Sequence, residues 1–121
     1  MKITLVTVMV MLAMQSFGRK LVLTAEKGSD GKTHWMPEKI EVTQGEAVTI
    51  VAKYDVKGAY DFHGLSIPVL KIQKEVYLGK PVEVSTVVPK DLKEGEYKVA
   101  CHVHDTHVPA TLVVKAKTAV H

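Results

Sequence analysis

Thiols are almost absent from this chain. Its 121 residues include one cysteine, Cys101, so no internal disulfide can form. Aromatics are few as well: two Phe, one Trp and four Tyr. The basic residues are scattered, with no interleaved aromatics, and a net charge of +3 is mild. A nucleic-acid partner therefore has no electrostatic footprint here. The sequence holds no phosphate-binding glycine loop and no His-Glu-x-x-His motif. It has no internal repeat, no low-complexity tract and no sustained helical period. The most marked apolar run, Ile3 to Met14, is shorter than the roughly 20 residues a membrane-spanning helix needs. No membrane span is expected in the mature chain.

That run has a different meaning at its position. Lys2 precedes it, and Ser16 and Gly18 follow it. A basic start, a short apolar centre and a small-residue exit make a secretory signal. Residues 1–18 are expected to be that signal, with cleavage before Arg19 and a mature domain over 19–121. The competing reading is a first strand, since ITLVTVMV is rich in β-branched residues. Loss of Lys2 would leave 15 − 13 = +2 on the mature chain. The expected location is periplasmic or secreted. In such a compartment a free thiol is a liability unless something buries or occupies it. A metal would do both.

Period-two alternation dominates the rest. RKLVLTA (19–25) reads as a strand, and EKGSDGKTHW after it reads as a turn-rich loop. KIEVTQGEAVTIVAKY gives two strands about Gln44-Gly45, with Val48, Ile50 and Ala52 on one face. A short strand is expected near Leu65 and Ile67, and a strand or helical turn over KIQKEVY. VEVSTVV (82–88), YKVAC and ATLVVKAK complete the set. About seven short strands with regular turn signals predict an all-β, antiparallel Greek-key β-sandwich.

The chemistry gathers in CHVHDTHVPATLVV, residues 101–114, which holds Cys101 and three of the six histidines. Tyr97, Val99 and Cys101 should point the same way along their strand. His104 and His107 follow at i+3 and i+6, and Pro109 closes the loop before the last strand. A thiolate with imidazoles suits copper or zinc and selects against magnesium or calcium. A further donor must come from elsewhere, and His63 in DFHGLSIP is the best candidate. His102 alternates with Cys101 and should point away. His34 and His121 receive no role, and Met36 beside Trp35 reads as packing. A Cys-His nucleophile pair has no substrate cleft to serve.

An upstream His, then Tyr-x-x-x-Cys-x-x-His and a nearby further ligand before a final strand, resembles the cupredoxins, the small blue-copper sandwiches. HGLSI and HVPATLVV are most similar to the nitrosocyanin-like red copper members. Those carry a glutamate at the place of His63, and their two histidines are spaced two residues further apart than His104 and His107. The dinuclear copper domains need a second cysteine where this chain has Asp105, so the resemblance implies one copper per chain. It implies Cys101, His63 and His104 as main ligands, with His107 in place of the usual axial methionine. Imidazole binds copper more strongly than thioether and should draw the metal from the trigonal plane. A lower potential and a red or green colour are therefore expected. The implied activity is one-electron transfer to an exported redox partner protein. An open site binding nitric oxide, copper sequestration and a zinc module are the alternatives.

Overall fold

The computed structural model describes residues 18–104 and 106–117. The expected signal over 1–18 lies almost entirely outside them. Among the described residues nine strands follow one another: β1 (Arg19–Lys27), β2 (Thr33–Met36), β3 (Lys39–Thr43), β4 (Ala47–Lys53), β5 (Phe62–Ile67), β6 (Ile72–Tyr77), β7 (Val82–Val87), β8 (Gly95–Val99) and β9 (Ala110–Lys115). A 3₁₀ turn, Pro68–Leu70, links β5 to β6.

The strands form two layers. One is a four-stranded sheet in the order β2-β1-β4-β7. The other joins β3-β9-β8 to the β5-β6 pair through a single bridge, Ser66 to Ala100. That bridge is a reciprocal backbone pair, with both N–H···O distances 2.8 Å. Alternation sorts the faces as the sequence implies. In β4, Val48, Ile50 and Ala52 are buried in the core beside Leu23, Leu65, Val99 and Leu112. Each fully buried Leu or Ile side chain contributes about 1.5–3 kcal/mol of apolar transfer to that core.

The all-β sandwich is as the sequence predicts, with differences of detail. Nine strands replace about seven. One of the additional strands is β2, in the segment read as a loop: THWM pairs antiparallel with β1 through Thr24–Met36 to Lys27–Thr33. Four ladders are antiparallel, but β1–β4 and β3–β9 run parallel. Period-two alternation specifies which face a residue occupies and says nothing about strand direction. Gly45 turns β3 into β4 at a φ of 77°, a left-handed conformation that only glycine adopts without cost. Among the described residues no helix is long and apolar enough to cross a membrane.

Candidate metal centre

Three chain segments meet at one end of the sandwich. β5 supplies His63 next to its first residue, where it is 2% exposed. The connection from β8 to β9 supplies Cys101, His104 and His107. The segment after β4 supplies Tyr54 and Tyr60. The bridge at Ser66 and Ala100 holds the first two segments together, three residues from His63 and one from Cys101.

His63, Cys101 and His104 each offer one donor atom, and these atoms lie within 4.8 Å of one another. Cys101 Sγ is 3.7 Å from His104 Nδ1. His107 stands outside that threefold cluster but touches it through His63, Nδ1 to Nδ1 at 3.2 Å. Around one four-coordinate ion with bonds of about 2.0–2.3 Å, neighbouring nitrogen and sulfur donors stand roughly 3.2–3.8 Å apart. These two separations, 3.7 and 3.2 Å, fall in that range, and the donor set is one thiol with imidazoles. The residues fit a soft or borderline ion such as copper or zinc.

Their surroundings keep them ready for it. Burial, and then the neighbouring His104, lower the His63 pKa from 6.5 to about 4. Burial, followed by His63, His104 and His34, lowers that of His107 to about 3. Both rings are neutral at physiological pH, the form that ligates metal. His107 Nε2 is buried with no hydrogen-bond partner among the described residues. A buried polar atom left so costs about 1–3 kcal/mol, and such atoms mark places kept for a reason other than stability.

Neighbouring side chains and backbone brace the cluster. Gly64 N donates to Cys101 Sγ at 3.1 Å. Trp35, fully buried, donates from Nε1 to the Gly64 carbonyl at 3.2 Å and lies against His107 at 5.1 Å between ring centroids. Tyr54 meets His63 edge-on at 4.4 Å. Its hydroxyl donates to the Tyr60 carbonyl and accepts from Gly58 N, so it ties down the loop that carries Tyr60. Tyr60 in turn stacks on His104 at 3.6 Å, nearly parallel.

Each sequence-derived donor is therefore at this end of the fold. His63, Cys101 and His104 converge, and His107 is next to them. His102 is exposed, as its alternation implies, but its ring packs over Gly64. His34 lies in β2 rather than in a loop and is held by Asp30, both carboxylate oxygens 2.9 Å from its Nε2. The sequence reading passed over Trp35, Tyr54, Tyr60 and Gly64 as parts of the site. Only Gly64, directly after a candidate ligand, carried a signal that could have been used.

Acid should unfold the metal-free protein early. The folded pKa values of His63 and His107 lie below the ordinary 6.5. Between pH 6.5 and about 4 the unfolded chain therefore binds more protons than the folded one, and stability falls as pH falls. At two protons the slope reaches about 2.7 kcal/mol per pH unit. Urea unfolding at pH 7.5 and pH 5.0 is expected to show this loss, and His107→Phe to remove a share of it. Equal midpoints at the two pH values would contradict the burial of neutral imidazoles.

A small β-sandwich with a part-buried thiol–imidazole cluster at one end is the class that fold and site define. The family model for the Cupredoxin-like domain matches residues 3–114, and the chain belongs to that family. Solved structures agree on the fold. A copper-binding protein solved by NMR in its apo form has a TM-score of 0.60 at 18% identity, over 84% of this chain and 92% of that one. The metal-binding domain of the Cu(I)-exporting P-type ATPase CopA of Streptococcus pneumoniae has 0.62 at 15%, over 81% and 87%. The copper nitrite reductase of Nitrosomonas europaea has 0.64 at 11%, over 81% of this chain and 41% of the enzyme. No curated protein matches by sequence.

Proposed function

We propose that this is an exported copper protein that passes single electrons to a redox partner protein, with one copper held by His63, Cys101, His104 and His107. The observation that carries the reading is the convergence of His63, Cys101 and His104 donor atoms within 4.8 Å in a cupredoxin-like sandwich. Copper bound there would supply a one-electron couple between Cu(I) and Cu(II).

The chain's own part is to hold the donors still. The Ser66–Ala100 bridge, the Gly64 N–H on Cys101 and the Tyr60 ring on His104 limit how far the ligands can move. Small reorganisation on a change of charge is what preorganised polar groups provide. Tyr60, 40% accessible, stacks over His104, and His104 and Cys101 are the part-buried members of the cluster. Export follows from the signal read over residues 1–18, and the free thiol at Cys101 is suited to an oxidising compartment once metal occupies it.

Visible and EPR spectra of the copper-loaded protein beside His107→Met test the ligand set. With imidazole rather than thioether as the fourth donor, a red or green wild type with a low potential would be expected, whereas His107→Met should give a blue spectrum and a higher potential. Identical spectra would remove His107 from the set. A protein that takes up zinc and stays colourless with copper would replace electron transfer by a structural role.

A further inference from the structure

In an extended strand the N–H and C=O of one residue point to the same side, and a neighbouring strand satisfies both. On one side β5 has such a neighbour in β6, from Phe62–Tyr77 to Ile67–Ile72. On the other side the backbone partner is a single residue, Ala100, which bonds Ser66 in both directions. Two residues earlier, at Gly64, the partner strand is gone and the ligand loop has begun.

Side chains take its place. The Gly64 N–H goes to Cys101 Sγ at 3.1 Å, and the Gly64 carbonyl accepts from Trp35 Nε1 at 3.2 Å. Trp35 comes from β2, an edge strand of the opposite sheet. β2 is itself tied to the ligand loop, because Val108 N donates to the Thr33 carbonyl at 2.7 Å. The same indole lies against His107. One buried side chain thus touches both segments that carry candidate ligands.

We propose that Trp35 is a positioning residue: its N–H fixes the Gly64 backbone so that Gly64 N–H stays aimed at Cys101 Sγ, and its ring seats His107 against His63. Cys101 and Trp35 together stand in for the missing strand. The effect on a bound metal rests on the copper reading; the clamp itself does not. Without the indole N–H, the buried Gly64 carbonyl has lost its donor and the Gly64 backbone is freed to rotate off the sulfur. A hydrogen bond to the sulfur of a ligating cysteine tunes the redox potential of such a site, so the clamp sets the properties of the centre without ligating.

Trp35→Phe keeps a large ring and removes the donor. In the metal-free protein, amide hydrogen exchange is read at Gly64 with Ser66 as internal reference, since Ser66 keeps its backbone bond to Ala100. Exchange at Gly64 is expected to rise roughly five- to tenfold relative to Ser66, the equivalent of one net hydrogen bond. Val42→Ala, a cavity made in β3, should accelerate both amides alike. If Trp35→Phe also accelerates both alike, Trp35 is packing only and the inference fails. The wild type gives a second reading that needs no variant: the Trp35 indole N–H should exchange slowly. Exchange at the rate of a free indole overturns the clamp. With copper, Trp35→Phe is expected to move the sulfur-to-copper absorption band, and an unmoved band denies the clamp its influence on the centre. A wild type that takes up no copper would end the copper reading, while the two exchange results still decide the clamp.

Discussion

Cys101→Ser yields a folded, colourless protein that binds copper more than about a hundredfold more weakly, since replacing even the partners of ligands costs about 10–100-fold. The thiolate is the softest donor in the set and the source of the intense visible absorption of such centres, because charge moves from sulfur to copper on excitation. A serine hydroxyl is not deprotonated at neutral pH and offers a hard, weak oxygen instead. The fold should tolerate the change. Cys101 is only half-buried, serine is close to it in shape, and its oxygen can still accept from Gly64 N, which now donates to Sγ at 3.1 Å. Stability of the metal-free protein should therefore shift by about 1 kcal/mol or less. Optical titration beside urea unfolding reads both quantities. A visible band that survives in the serine variant would place copper elsewhere.

Gly64→Ala is expected to weaken copper binding by about tenfold or more and to destabilise the fold by about 1–3 kcal/mol, the range for overfilling a packed site. An added Cβ would stand 2.5 Å from His102 Nδ1, 2.7 Å from its Cε1 and 2.9 Å from its backbone nitrogen. The exposed ring can rotate away. The backbone nitrogen cannot, so β5 and the ligand loop must part by several tenths of an ångström. That motion acts on the Gly64–Cys101 hydrogen bond and on the spacing of His63 from Cys101. The double variant Gly64→Ala/His102→Ala separates the two contacts. If removing the ring restores wild-type affinity, the clash was with the side chain alone and the close backbone approach carries no weight.

Much of the site was legible in the sequence because its donors are crowded into a stretch of seven residues. Cys101, His104 and His107 lie between two clear strand patterns, and that placement alone foretells a tight loop at a sandwich end. His63 is 38 residues away from Cys101, and no local pattern links them; only the tendency of adjacent sandwich loops to cluster at one end pointed to it, and the likeness of HGLSI and HVPATLVV to known ligand segments agreed. The supports were hidden for a physical reason. Trp35 sits in THWM, a strand of four residues inside a segment rich in Gly, Asp and Lys, and its burial comes from the opposite layer rather than from its own alternation. Tyr60 lies in an irregular loop whose shape depends on the Tyr54 hydroxyl. Tertiary hydrogen bonds of this kind leave no period to read. The parallel pairings of β1 with β4 and β3 with β9 were invisible for the reason that faces are encoded and directions are not.

On the proposed ligand set, His107 is the residue that would separate this centre from a blue one. His107 is 6% exposed, its Nδ1 is 3.2 Å from that of His63, and Trp35 packs its ring in place. Copper K-edge X-ray absorption of the loaded protein counts ligands directly. One sulfur with three imidazole nitrogens, falling to two in His107→Met, is the result expected from a copper held by Cys101, His63, His104 and His107. A copper shell without sulfur, or one unchanged in His107→Met, would contradict it.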